Sequence, residues 1–547
     1  MRGRRGRTGS DLPAEPDFWR ERFSRASFIS SSLLLRFPSL LLAILLILSP
    51  LVLSGCSRSV QTQPGVVNFL IESMPTNLDP RIGIDGQSER IDGLIFSGLV
   101  SLDARRNVQP DLAEKWETPD PLTYIFHLRS GVKFHDGRVL TSTDVKYTFE
   151  SILDRSVTSP KRGSLALIKD IETPDPATVI IHLREPYAGF LWSICRPALG
   201  IVPAGSGSDV ANHPIGTGPF RFVSAVQDDS IVLARNAGYF GTPPRISEVR
   251  FRIVPEAIVR ALELRKGTAD IELTSLTPDM IPVLRSQPNI VVTESPGTNY
   301  DYIALNFEDP ALSKRAVRQA LAMATDRERI IKYLLHGQAR IADGPIPPNS
   351  WAYEPNIRRY PYDPQQAERL LDAAGFPRRP DLHGMRLKLT LKTSTEESAR
   401  LLGEALQEQW RRVGVDLDLQ PLEIATLFSE LTRGAFQLAR LRWIGGNNDP
   451  DLFLDYAFSS KKMPPLGANR GHYHNPEVDA LLDQARVEMN RDKRREIFSK
   501  VQKIIAQDVP YISLWFSDNI SVHRKRITNV HLSPTGDYDF LCNIEAR

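Results

Sequence analysis

The sequence predicts a mixed α/β protein of more than one domain. Strand patterns recur through the first half of the chain, and strand and helix patterns alternate through the second. About 490 residues remain once an N-terminal leader is set aside, more than one hydrophobic core serves, so two or three domains are expected. Beyond the leader no apolar stretch is long enough to cross a membrane.

The leader comes first. Leu40 to Leu53 is apolar, carries Pro38 and Pro50 near its ends, and closes on Leu53-Ser54-Gly55-Cys56. At 14 residues, or roughly 17 counted from Phe37, it falls short of the ~20 that span a bilayer as a helix. Small residues before a single cysteine match a lipoprotein signal peptidase site, so residues 1–56 are expected to be a lipoprotein signal peptide and lipobox, cleaved ahead of Cys56, which carries the lipid. Ahead of the run stand Arg2, Arg4, Arg5, Arg7, Arg20, Arg22, Arg25 and Arg36, the positive flank that stays inside. The body is therefore expected outside the cytoplasm, anchored to a membrane by lipid. Residues 1–56 hold 8 of the 68 basic and 4 of the 65 acidic residues, leaving 60 against 61 and a net charge of −1. The basic balance of the whole chain thus gives no support for nucleic-acid binding. Cys195 and Cys542 remain besides Cys56, and whether they pair stays open.

The working chain starts with a strand, Val66 to Ile71, and a polar turn from Met74 to Pro80 that contains Asn77. Tyr124, Phe126 and Leu128 alternate with Thr123, Ile125 and His127, giving a strand with one aromatic face. The turn His135-Asp136-Gly137 follows. Thr141 with Asp144 then reads as a capping box opening a helix that carries Val145, Phe149 and Ile152. Ile181-His182-Leu183-Arg184 echoes Phe126-His127-Leu128-Arg129, so two related strands share a sheet. Gly216-Thr217-Gly218 is followed by Pro219 and opens no helix, which favours a turn over a dinucleotide loop.

The second half is richer in helix. Thr325 with Glu328 predicts a capped helix ending at Gly337; Asp363 with Pro364 predicts another, ending before Gly375. Ser394 with Glu397 opens a third, carrying Leu402, Leu406 and Trp410, and Asn475 with Pro476 a fourth; Ile497, Phe498, Val501 and Ile505 mark a fifth. Strands are expected at Met385 to Leu391, Val415 to Leu419 and Phe436 to Leu441. His472 and His474 stand at His-x-His spacing without a third nearby ligand, and no metal site is expected.

Pro110-Asp111-Leu112-Ala113-Glu114-Lys115-Trp116, Phe126-His127-Leu128-Arg129 and Val132-Lys133-Phe134-His135-Asp136-Gly137 stand in a fixed order. Gly216-Thr217-Gly218-Pro219-Phe220, Val317-Arg318-Gln319-Ala320-Leu321, Tyr362-Asp363-Pro364 and Asn475-Pro476-Glu477-Val478-Asp479 continue the series. Together they resemble the family 5 extracellular solute-binding proteins, the dipeptide and oligopeptide receptors of ABC importers. The resemblance implies a two-lobed periplasmic-binding-protein fold of class II (Venus-flytrap), with an extra subdomain in lobe one and ligand enclosed by hinge closure. Carried onto this chain, lobe one is residues 66–297 plus 515–547, with the inserted subdomain at about 90–205, and lobe two is 298–514. The implied partners are a peptide or other small solute and the permease and ATPase subunits of an importer, the receptor itself being a monomer.

The resemblance also points to a ligand site. In dipeptide-binding relatives an aspartate shortly after the tryptophan matching Trp443 pairs with the peptide ammonium, and an arginine elsewhere in the lobe takes the carboxylate. Here the aspartate's place falls on Gly446, within Trp443-Ile444-Gly445-Gly446-Asn447-Asn448-Asp449-Pro450, and the arginine's near Thr393. Losing both charged partners argues against tight selection of free dipeptides. Arg440 and Arg442 share one strand face and form a candidate carboxylate clamp. Asn77, Trp443, Gly445, Gly446, Asn447 and Asp449 complete the candidate ligand contacts, Asp449 reading more readily as a turn residue. The sequence holds neither Gly-x-Ser-x-Gly nor His-Glu-x-x-His, so no catalytic residue and no cofactor are expected. A peptide longer than two residues is the expected ligand, with a non-peptide anionic solute, or a sensory or chaperone role on the same fold, as alternatives.

Overall fold

The computed structural model describes residues 63–103, 105–195, 199–444 and 449–547. The signal segment with Cys56, and Gly445, Gly446 and Asn447 of the candidate site, lie outside the described residues. Among the described residues no helix is long and apolar enough to cross a membrane.

One 11-stranded sheet organises the chain. Two long strands, Ile290–Leu305 and Tyr511–Arg524, pair antiparallel at its middle. On one side lie strands of the first half, beginning with Ile271–Leu273 and Val66–Ile71; on the other lie Leu438–Trp443, Leu387–Ser394 and Val415–Leu422. The pairing of the long strands shifts register between Ser295 and Asn299. Gly297 sits at the shift, where a Cβ would lie 2.1 Å from the Ser517 carbonyl oxygen, so no larger residue fits without moving the strands apart. The turn Ser533-Pro534 holds the same place: Thr298 donates its N–H to Pro534 O at 3.1 Å, and the Asn519 amide donates to Ser533 and Pro534 carbonyls at 2.9 and 2.8 Å.

Apolar side chains form separate cores on the two faces of the second-half sheet. Ile303, Leu305, Leu391, Leu406, Trp410, Leu438 and Trp515 fill one; Tyr300, Tyr302, Ala439, Leu441, Phe453 and Phe498 fill the other. This is the period-2 alternation of strands buried on both sides. The strands observed here extend two or three residues beyond the apolar runs that predict them. Leu387–Ser394 continues through Lys392, Thr393 and Ser394, which pair with Gln420, Pro421 and Leu422. Composition marks the buried part of a strand, whereas hydrogen bonding carries it into polar residues.

Most of the expected caps are present. Asp144 accepts from the Thr141 N–H at 2.8 Å to open Ser142–Leu153; Asp363 and Asn475 cap Pro364–Ala373 and Pro476–Val487. Two differ. Asp326, not Thr325, caps Arg327–Tyr333, because the Thr325 hydroxyl is buried and accepts from the Trp410 indole at 3.0 Å. Ser394 ends a strand, and Glu397–Arg412 begins after Glu396 without a side-chain cap.

The four-stranded sheet of the first half is a duplicated hairpin. Ala113–Asp120 with Thr123–Leu128, and Ile168–Asp175 with Thr178–Leu183, lie with their second strands paired at the centre. Glu117-Thr118-Pro119-Asp120-Pro121 recurs as Glu172-Thr173-Pro174-Asp175-Pro176. The bonds recur too: His127 meets Glu117 at 3.1 Å and His182 meets Glu172 at 3.2 Å, while Leu128 N–H reaches Ala177 O at 2.7 Å and Leu183 N–H reaches Leu122 O at 2.8 Å. Cys195 and Cys542 lie in different cores and are not joined to each other. His472 and His474 turn to different acids, Glu308 at 2.6 Å and Asp479 at 3.8 Å.

Two motifs distant in sequence meet at His135. Its Nε2 lies 3.1 Å from the Gly218 carbonyl, its Nδ1 accepts from the Gly216 N–H at 3.3 Å, and its backbone N–H donates to Gly216 O at 2.9 Å. Burial pulls the imidazole down from 6.5 to about 4, the Gly218 carbonyl opposing. The unfolded histidine takes its proton first as pH falls, so this stability is complete above pH 6.5 and lost progressively towards pH 4. A shift of this size amounts to about 3 kcal/mol. Urea unfolding across that window is expected to show the midpoint of the wild type falling more steeply than that of His135→Gln; parallel curves would exclude the histidine as the cause.

Candidate ligand-binding site

The site begins where an apolar strand face turns polar. Leu438–Trp443 runs antiparallel to Ile290–Leu305, with Leu438 opposite Leu305, Arg440 opposite Ile303, and Arg442 opposite Asp301. Alternation puts all six on one face, so the core formed by Leu305, Leu438 and Ile303 gives way to Arg440, Arg442 and Asp301 toward the register shift. Arg440 Nη2 donates to Asp301 Oδ1 at 2.8 Å. Arg442 Nε lies 3.1 and 3.0 Å from the two carboxylate oxygens, and Ser517 Oγ donates to Oδ2 at 3.1 Å. Asp301 is fully buried and the Arg440 side chain nearly so, while that of Arg442 is 40% exposed. Burial pulls the Arg440 guanidinium below its ordinary value; Asp301 opposes the shift and Arg442 adds to it. Two cations thus share one anion.

The other candidates occupy different surroundings. Trp443 lies opposite Tyr300 on the reverse face of the strand and packs edge-on against Phe453 at 4.5 Å between ring centroids. Asp449 is buried and forms a two-pronged ion pair with Arg494, both contacts at 2.6 Å, while capping Pro450–Phe458 through the Asp451 N–H at 3.0 Å. Its charge is committed inside the protein. Asp451 beside it has one carboxylate oxygen without a hydrogen-bond partner, and burial together with the Asp449 charge pushes it up to about 7. Asn77 belongs to the first-half turn: its side-chain oxygen accepts from the Asp79 N–H at 2.8 Å, and its own N–H donates to Ser88 Oγ at 3.2 Å. The structure therefore joins Arg440 and Arg442, sets Trp443 on the opposite face, and ties Asp449 to the scaffold.

Asp301 is the residue that sequence reading missed. The signal was a lone acid in the apolar run Tyr300-Asp301-Tyr302-Ile303-Ala304-Leu305. Its meaning needs the strand pairing, since the arginines opposite it are about 140 residues away.

A further set of contacts joins the first-half subdomain to helices of the second half. The Arg486 guanidinium sits over the Tyr187 ring at 5.1 Å and lies 3.7 Å from Glu185, and its carbonyl accepts from the Ala188 N–H at 2.9 Å. Arg491 donates to the Asn107 side chain at 2.6 Å and lies over the Trp351 ring, which itself neighbours Trp192 at 6.5 Å.

This architecture is that of the two-lobed periplasmic binding proteins. Residues 107–465 match the bacterial extracellular solute-binding proteins, family 5 middle region, and the chain belongs to that family. Among curated relatives, heme-binding protein A of Haemophilus influenzae is 29% identical over 497 residues, covering 85% of this chain and 89% of the relative. The dipeptide-binding protein of Escherichia coli (strain K12) is 28% identical over 523 residues, covering 90% and 96%. The periplasmic binding protein DppA from Helicobacter pylori, solved in complex with the peptide STSA, superposes with a TM-score of 0.73 at 27% identity, covering 88% of this chain and 98% of that one.

Removing the Asp449 carboxylate strands Arg494, whose side chain is 3% exposed. Asp449→Ala is expected to lower unfolding free energy by about 3–5 kcal/mol, the usual result of breaking a buried pair from one side. Denaturant unfolding checks this, and a loss below about 1 kcal/mol, the range of exposed pairs, would remove the structural role.

Proposed function

We propose that the protein is the lipid-anchored receptor of an ABC importer, capturing peptides between two lobes and presenting them to a membrane permease. Family membership over residues 107–465 carries the receptor reading. Peptide as ligand is supported by relatives named for it, the Escherichia coli dipeptide-binding protein and the STSA-bound Helicobacter pylori protein. No bond is made or broken in this reading. Ligand stabilises the closed arrangement because only there does it touch both lobes.

The division into lobes at residues 66–297 plus 515–547 and 298–514 is part of the proposal. The register shift around Gly297 supports the hinge, since irregular pairing lets long strands flex without breaking the sheet. The Arg486 and Arg491 contacts are those expected of a closed form. Arg440 and Arg442 are the proposed clamp for the ligand carboxylate, and Cys56 the lipid attachment; Gly445, Gly446 and Asn447 complete the proposed contacts beside Trp443. A second reading, a non-peptide anionic solute, is favoured by the same arginine pair and by the similarity to heme-binding protein A.

Native mass spectrometry of the protein as purified tests the ligand class. Bound peptides of three or more residues are expected; free dipeptides alone, or a non-peptide anion, would overturn the oligopeptide reading. Small-angle scattering is expected to show a smaller radius of gyration with peptide than without, and equal radii would count against closure. Cys56→Ala is expected to leave the membrane fraction for the soluble one, because stable anchoring needs the acyl chains.

A further inference from the structure

We propose that Asp301 sets the charge of the ligand group received at Arg440 and Arg442, restricting it to a single carboxylate, the C-terminus of a peptide. This rests on the peptide-receptor reading and adds the residue that fixes which charge the site accepts.

The argument starts from donors without acceptors. Arg440 Nε, Thr393 Oγ1 and Trp515 Nε1 are buried and have no hydrogen-bond partner. Thr393 is 1% and Trp515 2% exposed. They are neighbours by register. Lys392 pairs with Ala439, so Thr393 follows into the row of Arg440, on the face it shares with Leu391; Trp515 pairs with Asp301 from the other side. Four adjacent strands thus bring a hydroxyl, two guanidinium groups and an indole N–H to the polar end of one sheet face. Among the described residues the buried carboxylate bonded to them is Asp301, whose two oxygens already serve Arg440, Arg442 and Ser517.

Buried donors in such surplus call for an oxygen-rich partner from outside. Charge decides how much. Arg440 and Arg442 carry two positive charges and Asp301 one negative, leaving one to be neutralised. The further acid acting on Arg440 is Glu396, which is exposed at the start of Glu397–Arg412 and screened by solvent. A monoanion balances the cluster, whereas a dianion leaves a buried excess of negative charge beside Asp301, which is costly. An amide in the same place leaves the excess positive. Without Asp301 the arginine pair would be matched to two negative charges.

Titration calorimetry on the full chain with three peptides tests this: trialanine, trialanine C-terminal amide, and Ala-Ala-Asp, whose C-terminal end carries two carboxylates. For the wild type, trialanine is expected to bind at least about ten-fold tighter than its amide, the scale of one charge-assisted hydrogen bond, and no weaker than Ala-Ala-Asp. In Asp301→Asn, which keeps the side-chain shape, Ala-Ala-Asp is expected to overtake trialanine. Trialanine and its amide binding alike to the wild type would overturn the charge assignment and leave peptide capture standing; that comparison needs no variant to fold. An unchanged ranking in Asp301→Asn would remove Asp301 as the determinant. Failure of all three peptides to bind would overturn the peptide reading and this inference with it.

Discussion

The antiparallel pair Ile290–Leu305 and Tyr511–Arg524 is the constraint on which the other features rest. Strands from the earlier part of the chain lie on one side of this pair and strands from the later part on the other, so the pair joins them into one sheet. Their length brings residues 216 positions apart, Asp301 and Ser517, into hydrogen-bonding distance. Their pairing is interrupted by a register shift, packed against Gly297 and held by Ser533 and Pro534. The polar cluster around Asp301 lies within a few residues of that shift.

On Leu438–Trp443 the residues facing the apolar core give way to charge only toward the strand's end. Arg440 and Arg442 occupy that end, and Asp301 keeps them in register by accepting from both. Asp449 and Arg494 show the contrasting solution, a closed pair with bonds on both carboxylate oxygens. The two clusters have similar composition and opposite character: one is neutral and satisfied, the other carries surplus donors and surplus charge.

Much of the fold was legible in the sequence because local chemistry set it. Thr141 with Asp144, Asp363 with Pro364, and Asn475 with Pro476 close their caps within three residues, so spacing alone revealed them. Thr325 misled because its hydroxyl serves Trp410, 85 residues away, and such long-range demands leave no local mark. The same limit governed the site. The arginine pair was visible as an alternation on one strand, but its partner Asp301 lies on another, and the opposite orientation of Trp443 follows from alternation only once the strand's end is known. Thr393 and Trp515 read as ordinary residues until register placed them on one face.

The duplicated hairpin gives the subdomain an approximate two-fold axis between Ile125 and Ile180, which pair with each other at its centre. Each hairpin lends the other a carbonyl at its tip, Ala177 O to Leu128 and Leu122 O to Leu183. A hairpin alone is marginal in water, and here each is completed by a copy of itself within the same chain. The protein therefore contains, in one molecule, the geometry that elsewhere arises when two identical chains meet edge to edge. That edge is already filled, so the central strands are closed to pairing with a neighbouring molecule.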